Sequence, residues 1–271
     1  MPSIINKSID LSRTTRYRLS IHAFLNGFSF AVLDEAASLC RQLHYYAFSS
    51  PFDHNDVYTE MTTSCRNHSQ LKYNYSTAQC VFCSPSFTLV PHSLFVPEKA
   101  AAILKSIHTI NELDEVYFHD LPRLGVTCVY SIPNAITAPL LKNQPATRFF
   151  PIASSLIQMV TPLLGHTRIL FFYWDSFLYL TLMKEQQLLL CNAFHAPDFH
   201  TALYFLFLVL HQWQLNPDSL RLYISGEITK QNRKMLHNYF PSVVILFHEA
   251  ISLPNLEHTL RFGTILHHVC E

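Results

Sequence analysis

Apolar and polar positions along the chain divide it into short β-like runs that alternate with helical stretches. Arg18 to Phe24 (RLSIHAF) and Phe28 to Leu33 (FSFAVL) are rich in β-formers and are joined through Leu25-Asn26-Gly27. An Asn-Gly pair between two such runs predicts a hairpin, because both residues accept the positive φ of a tight turn. A third strand is expected around Leu43 to Phe48, a helix over Asp53 to Leu71, and two more strands at Ala78 to Cys83 and Phe87 to Val90. Pro97-Glu98 then opens a helix, with proline at the first helical position and glutamate at the positive end of the dipole. Ala100, Ile103, Leu104 and Ile107 fall on one face of it. A strand at Val126 to Ile132 leads into a connection punctuated by Pro133, Pro139, Pro145 and Pro151. That connection marks the expected boundary between two halves, residues 1–150 and 151–271.

The pattern then restarts. Arg168 to Trp174 and Phe177 to Met183 read as strands joined by an Asp175-Ser176 turn, and Leu188 to Phe194 as a third strand. Pro197-Asp198 starts a helix whose body, Ala202 to Leu210, is apolar all round, so Leu206 and Leu208 are both expected to be buried. Leu220 to Ser225 is a strand, Ile228 to Phe240 a polar helix and Val243 to His248 a last strand. Each half thus runs three meandering strands, then helix and strand in alternation. Mixed sheets with packed helices, an α/β fold, follow from that order.

Composition narrows the function classes. Apolar residues make up 49% and charged residues 14%, which is the opposite of a disordered chain. Lys+Arg and Asp+Glu both number 19, so the chain lacks the electrostatic footprint of a nucleic-acid binder. The longest apolar run, Ala202 to Leu210, falls short of the roughly 20 residues a membrane-spanning helix needs, so no membrane insertion is expected. The polar stretch Met1 to Arg18 does not read as a signal peptide, and seven scattered cysteines do not read as a disulfide framework. A cytoplasmic location is the expectation. Only five glycines occur, no two of them close together, so the phosphate-cradling patterns GxGxxG and GxxxxGK[ST] are missing.

Several segments carry a family resemblance: the opening LSIHAFLNGFSFAVLD, then FTLVPHSLFVPEKA, LFFYWDSFLYL, the late LYISGEI and the terminal CE. They resemble an uncharacterised Bacteroidetes family with the actin-like ATPase fold, the duplicated ribonuclease-H-like arrangement shared by actin, sugar kinases and heat-shock chaperone ATPases. The resemblance implies two related ribonuclease-H-like halves and a nucleotide cleft formed by two phosphate turns and an adenosine motif. The positions that match are Asn26 and Gly27 for the first turn, Asp175 and Ser176 for the second, and Gly226 and Glu227 for the adenosine motif. Each departs from the family pattern. The first turn has no carboxylate, the second no glycine, and Glu227 stands where a second glycine allows close approach. A degenerate nucleotide site is therefore expected, with ATP and Mg²⁺ disfavoured as cofactors.

Other constellations weigh less. Cys65-x-x-His68 and Cys80-x-x-Cys83 have spacings seen in zinc sites. A regular strand, however, would send Cys80 and Cys83 to opposite faces. Buried thiols are the default reading. Sixteen histidines include the clusters His195-x-x-Asp198-x-His200 and His267-His268, neither of which completes a ligand set, and His248-Glu249 reads as a sheet edge. Lys230, Arg233 and Lys234 read as a solvated helix face. The expectation is a non-catalytic binding or scaffold protein with a protein partner. A nucleotide-binding switch with slow or no hydrolysis is the alternative, and a metal-dependent enzyme comes third.

Overall fold

The computed structural model describes residues 3–6, 8–24, 26–34, 36–37, 39–48 and 54–246. The expectations for His248-Glu249, His267-His268 and the terminal CE fall outside these residues, as does Leu25 in the first hairpin turn. The chain opens with β1 (Ser3–Asn6), β2 (Tyr17–Phe24), β3 (Gly27–Asp34) and β4 (Leu39–Ala47), then α1 (His54–Asn67) and β5 (Thr77–Cys83). A segment with β6 (Phe87–Pro91), α2 (Ala100–Lys105), β7 (Asp114–Leu121) and β8 (Val126–Pro133) comes next, followed by α3 (Asn134–Asn143), β9 (Arg148–Pro151) and α4 (Ile152–Val160). The remainder comprises β10 (Thr167–Trp174), β11 (Phe177–Lys184), β12 (Gln187–His195), α5 (Phe199–Gln212), β13 (Arg221–Gly226), α6 (Lys230–His237) and β14 (Val243–Ile245).

The strands build two large mixed sheets with one plan. The first has the order β1-β4-β3-β2-β5-β9 and the second β12-β11-β10-β13-β14. In both, three strands meander antiparallel, and the first of the three then pairs in parallel with a later strand, β2 with β5 and β10 with β13. A further parallel strand closes each order, β9 beside β5 and β14 beside β13. Apart from β1, the two sheets correspond strand for strand, which is the duplication the sequence pattern implies. β6, β8 and β7 form a small antiparallel sheet inserted between β5 and β9.

α4 joins the two sheets. It packs on β5 and β9 from one and on β10, β11 and β12 from the other. Of its nine residues every one except Gln158 is buried. This corrects the proline-punctuated connection, which holds α3 and β9 and runs straight into α4. Ser154, Ser155 and Gln158 do fall on one side at helical spacing, but nine residues directly behind Pro151 give that period little length to show. β7 also went unforeseen, because its acidic ends and consecutive Val116, Tyr117 and Phe118 do not alternate in the way of a half-buried strand. α2 is shorter than expected: it ends at Lys105, and Ile107 lies beyond it, exposed.

The expectation for α5 needs a second correction. Ala202, Leu203, Leu206, Val209 and Leu210 are buried in the core of the second sheet. Leu206 is 0% exposed, whereas Leu208 is 43% and Tyr204 62% exposed. One sheet face can cover only one side of a helix, and nothing among the described residues covers the other. The apolar residues there are left in water despite the all-round apolar sequence.

Candidate functional site

Two hairpin turns meet between the large sheets. In the first, Phe24 of β2 pairs with Gly27 of β3, so Asn26 lies in the turn and Gly27 already belongs to the strand. Gly27 does not have positive φ, which corrects the reading of it as a turn residue. Its role is close approach: a Cβ there would stand 2.2 Å from the Tyr46 carbonyl oxygen of β4. In the second hairpin Trp174 pairs with Phe177. Asp175 and Ser176 make the turn with φ of 48° and 59°, the left-handed pair a tight hairpin requires.

The Asn26 amide donates to Asp175 Oδ1 at 2.7 Å, across 149 residues of sequence. The Asp175 backbone N–H donates to Glu227 Oε2 at 3.2 Å. Glu227 follows Gly226 at the end of β13, and its own N–H donates to the Tyr173 carbonyl at 2.7 Å. Gly226 has φ of 97°, and a Cβ on it would lie 2.1 Å from that same carbonyl, so this crossing admits only glycine. The structure thus brings together Asn26, Asp175 and Glu227, supported by Gly27, Ser176 and Gly226.

Aromatic side chains fill the space behind the turns. Phe24 and Trp174, each the last strand residue before its turn, lie 5.7 Å apart edge to face. His22 lies 5.9 Å from Trp174, and Phe24 stacks on Tyr45 at 5.8 Å. Burial holds the His22 imidazole down at about 3, so it is neutral at physiological pH. Sequence reasoning missed this group. The one available signal was an aromatic residue immediately before each hairpin turn.

The electrostatics of the site are acidic. Burial raises the Asp175 carboxyl, partly offset by the Asn26 hydrogen bond. Burial also raises Glu227; the Asp175 amide opposes that rise and the Asp175 charge adds to it. The Tyr45 hydroxyl is pushed up to about 12, by burial first and then by Glu227 and Asp175. No lysine or arginine among the described residues pairs with either carboxylate. Two acidic side chains in a partly buried space repel an anion and stabilise a neighbouring proton.

Among the described residues the four Cys/His candidates form no common ligand cluster. Cys65 is buried on α1, its thiol pushed up to about 11. The His68 ring meets the Tyr46 hydroxyl. Cys83 lies beside Tyr179 of the second sheet, whereas Cys80 faces Tyr117 and Tyr130. This is the opposite-face alternation of a regular strand. Among the described residues no group of three His, Cys, Asp or Glu side chains could hold a metal ion. Asp198 caps α5 by accepting from the Thr201 N–H at 2.9 Å, and His195 packs on Phe177 at 5.3 Å. No helix among the described residues is long and apolar enough to cross a membrane.

Comparison with solved structures matches this architecture. A Bacteroides thetaiotaomicron VPI-5482 protein with actin-like ATPase fold and unknown function superposes with a TM-score of 0.80 at 21% identity, over 88% of this chain and 94% of that one. A chain of the PilM–PilN type IV pilus biogenesis complex follows at a TM-score of 0.56 and 12% identity, over 92% and 96% of the two chains. No curated protein matches by sequence. The chain has the actin-like ATPase fold, and, with residues 6–243 matching the family model, it belongs to the family described as "Protein of unknown function (DUF3822)".

Proposed function

We propose that this chain is a non-catalytic binding protein that uses the actin-like fold, with halves 1–150 and 151–271, as a scaffold whose nucleotide cleft is closed. The observation that carries the reading is the Asn26–Asp175 hydrogen bond at 2.7 Å. If the two turns are the phosphate turns, they touch where phosphates would lie between them, and Phe24 and Trp174 fill the space behind. Asp175 and Glu227 add unneutralised charge against a polyphosphate. A nucleotide with Mg²⁺ would need a carboxylate freed from Asn26, and Asp175 and Glu227 alone supply few of the six or so oxygen ligands the ion takes, leaving the rest to water and phosphate. A chain of similar fold is part of the PilM–PilN type IV pilus biogenesis complex, which supports a protein partner here.

Phosphate release from ATP by purified protein tests the reading. It should stay at the level of a blank, with and without Mg²⁺. Release well above the blank, abolished by Asp175→Asn, would show that Asp175 positions a metal and that the cleft works.

A further inference from the structure

β12 is the outermost strand of the second sheet, and it differs from every other edge strand among the described residues. An edge strand bares a row of backbone N–H and C=O groups, and natural sheets protect such rows by shortness, charge or proline. β1, β14 and β9 have four, three and four residues, and β9 (RFFP) adds an arginine and a proline. β6 (FTLVP) has five and ends on Pro91, and β7 (DEVYFHDL) carries Asp114, Glu115 and Asp120. β12 (QLLLCNAFH) runs for nine residues without a lysine, arginine, aspartate, glutamate or proline. A bulge at Leu189 interrupts it near its start and leaves Leu190 to His195 in regular register with β11.

The duplicated plan shows what kind of neighbour this edge takes. In the first sheet the corresponding strand is β4, and β1 pairs with it antiparallel. Beside β12 no strand among the described residues fills that place. The Ala193 N–H donates to Asn192 Oδ1 at 2.9 Å in an exposed position, so it lies on the outer side of the strand. Next to it, Phe194 stacks on Phe205 of α5 at 4.8 Å, both half-buried, which gives the edge an apolar shoulder.

We infer that two copies of the chain join through this edge, β12 of one copy pairing antiparallel with β12 of the other, so that two five-stranded sheets become one. A second copy is selected because an antiparallel pair about a twofold axis sets a strand against itself. A strand with fixed charges would then meet like charges, whereas this one meets only Leu, Cys, Asn, Ala and Phe along its middle. A charged segment of another protein would find no counter-charge along β12. Nine residues a side is well below the roughly 20–30 of a standard interface, so the dimer is reversible, with a dissociation constant on the order of 10 μM.

Sedimentation equilibrium of the full chain from about 1 to about 200 μM should show monomer passing into dimer. Asn192→Lys puts a charge at an exposed position in the strand and should weaken association on the order of tenfold, as should Asn192→Glu. A mixture of these two variants should associate more tightly than either alone, because opposite charges then face each other across the twofold axis. Ala193→Pro removes the outward N–H and should also weaken association on the order of tenfold. The unfolding midpoints of the Asn192 variants should stay near the wild-type value, since that side chain is exposed. The inference fails if the chain is monomeric over the whole range, or if Asn192→Lys and Ala193→Pro dimerise as well as wild type. It also fails if the mixture associates no more tightly than its components.

Discussion

The two hairpin turns occupy the same place in their sheets and are built in different ways. The second, Asp175-Ser176, has both residues in the left-handed region, and it presents a carboxylate. The first offers the Asn26 amide, and its glycine, Gly27, serves the crossing with Tyr46 rather than the turn. A duplicated fold would put like beside like if the turns were identical. One donor and one acceptor instead meet at 2.7 Å, so the difference between the turns is what lets them join. Duplication supplies the place, and divergence supplies the contact.

The glycines give the sharpest way to break this picture. Gly226→Ala would set a methyl 2.1 Å from a backbone carbonyl at φ of 97°, and Gly27→Ala would set one 2.2 Å from another. Urea unfolding should show each losing about 4 kcal/mol, since neither carbonyl can yield without moving its strand. Gly125→Ala is the control. At φ of 65° with nothing within 4 Å of the added carbon, it should cost only about 1 kcal/mol. Equal losses at all three sites would mean that general glycine entropy, not close approach, sets the cost.

A charge exchange comes next in size. Asn26→Asp would place a second carboxylate against Asp175 and should cost about 1 kcal/mol at neutral pH, the pair being only partly buried. Asn26→Asp combined with Asp175→Asn restores one donor and one acceptor and should recover most of that loss. If the double variant is no better than the sum of its parts, the contact between the turns contributes nothing.

The smallest effect lies in pH dependence, where the two sides of the site act in opposite directions. Asp175 and Glu227 are raised in the folded chain, so their contribution is fully present below the ordinary carboxylate range and is lost as pH rises through their raised values. His22 is lowered from 6.5 to about 3, so its cost sets in as pH falls below 6.5 and grows until about 3. Glu227→Gln should therefore stabilise the protein relative to wild type near pH 7, with the difference vanishing toward pH 3. A difference that grows on acidification would reverse the sign assigned to Glu227.

Much of this architecture is legible in the sequence, and the reasons are local. The strands flanking Asn26 and Asp175 are rich in β-formers, stand next to turn residues and pair with their immediate neighbours. The duplication was legible because both copies begin with the same meander. α4 was missed although Ser154, Ser155 and Gln158 mark one of its faces, because nine residues directly behind Pro151 give the period little length to show. Nor was the exposure of Leu208, since the sequence of α5 does not say how many of its sides the sheet covers. The Asn26–Asp175 contact lies beyond local pattern altogether: 149 residues separate its partners, and only the family resemblance placed them near one cleft.

The central claim is that the cleft between the two turns is closed to nucleotide. Thermal unfolding of the purified protein with ATP, ADP or GTP and Mg²⁺ tests it most directly. A ligand at a hundred times its dissociation constant adds about 2.7 kcal/mol of stability, which shifts the midpoint by several degrees. A closed cleft predicts no shift with any of the three up to millimolar concentration. A Mg²⁺-dependent shift that disappears in Asp175→Asn would contradict it.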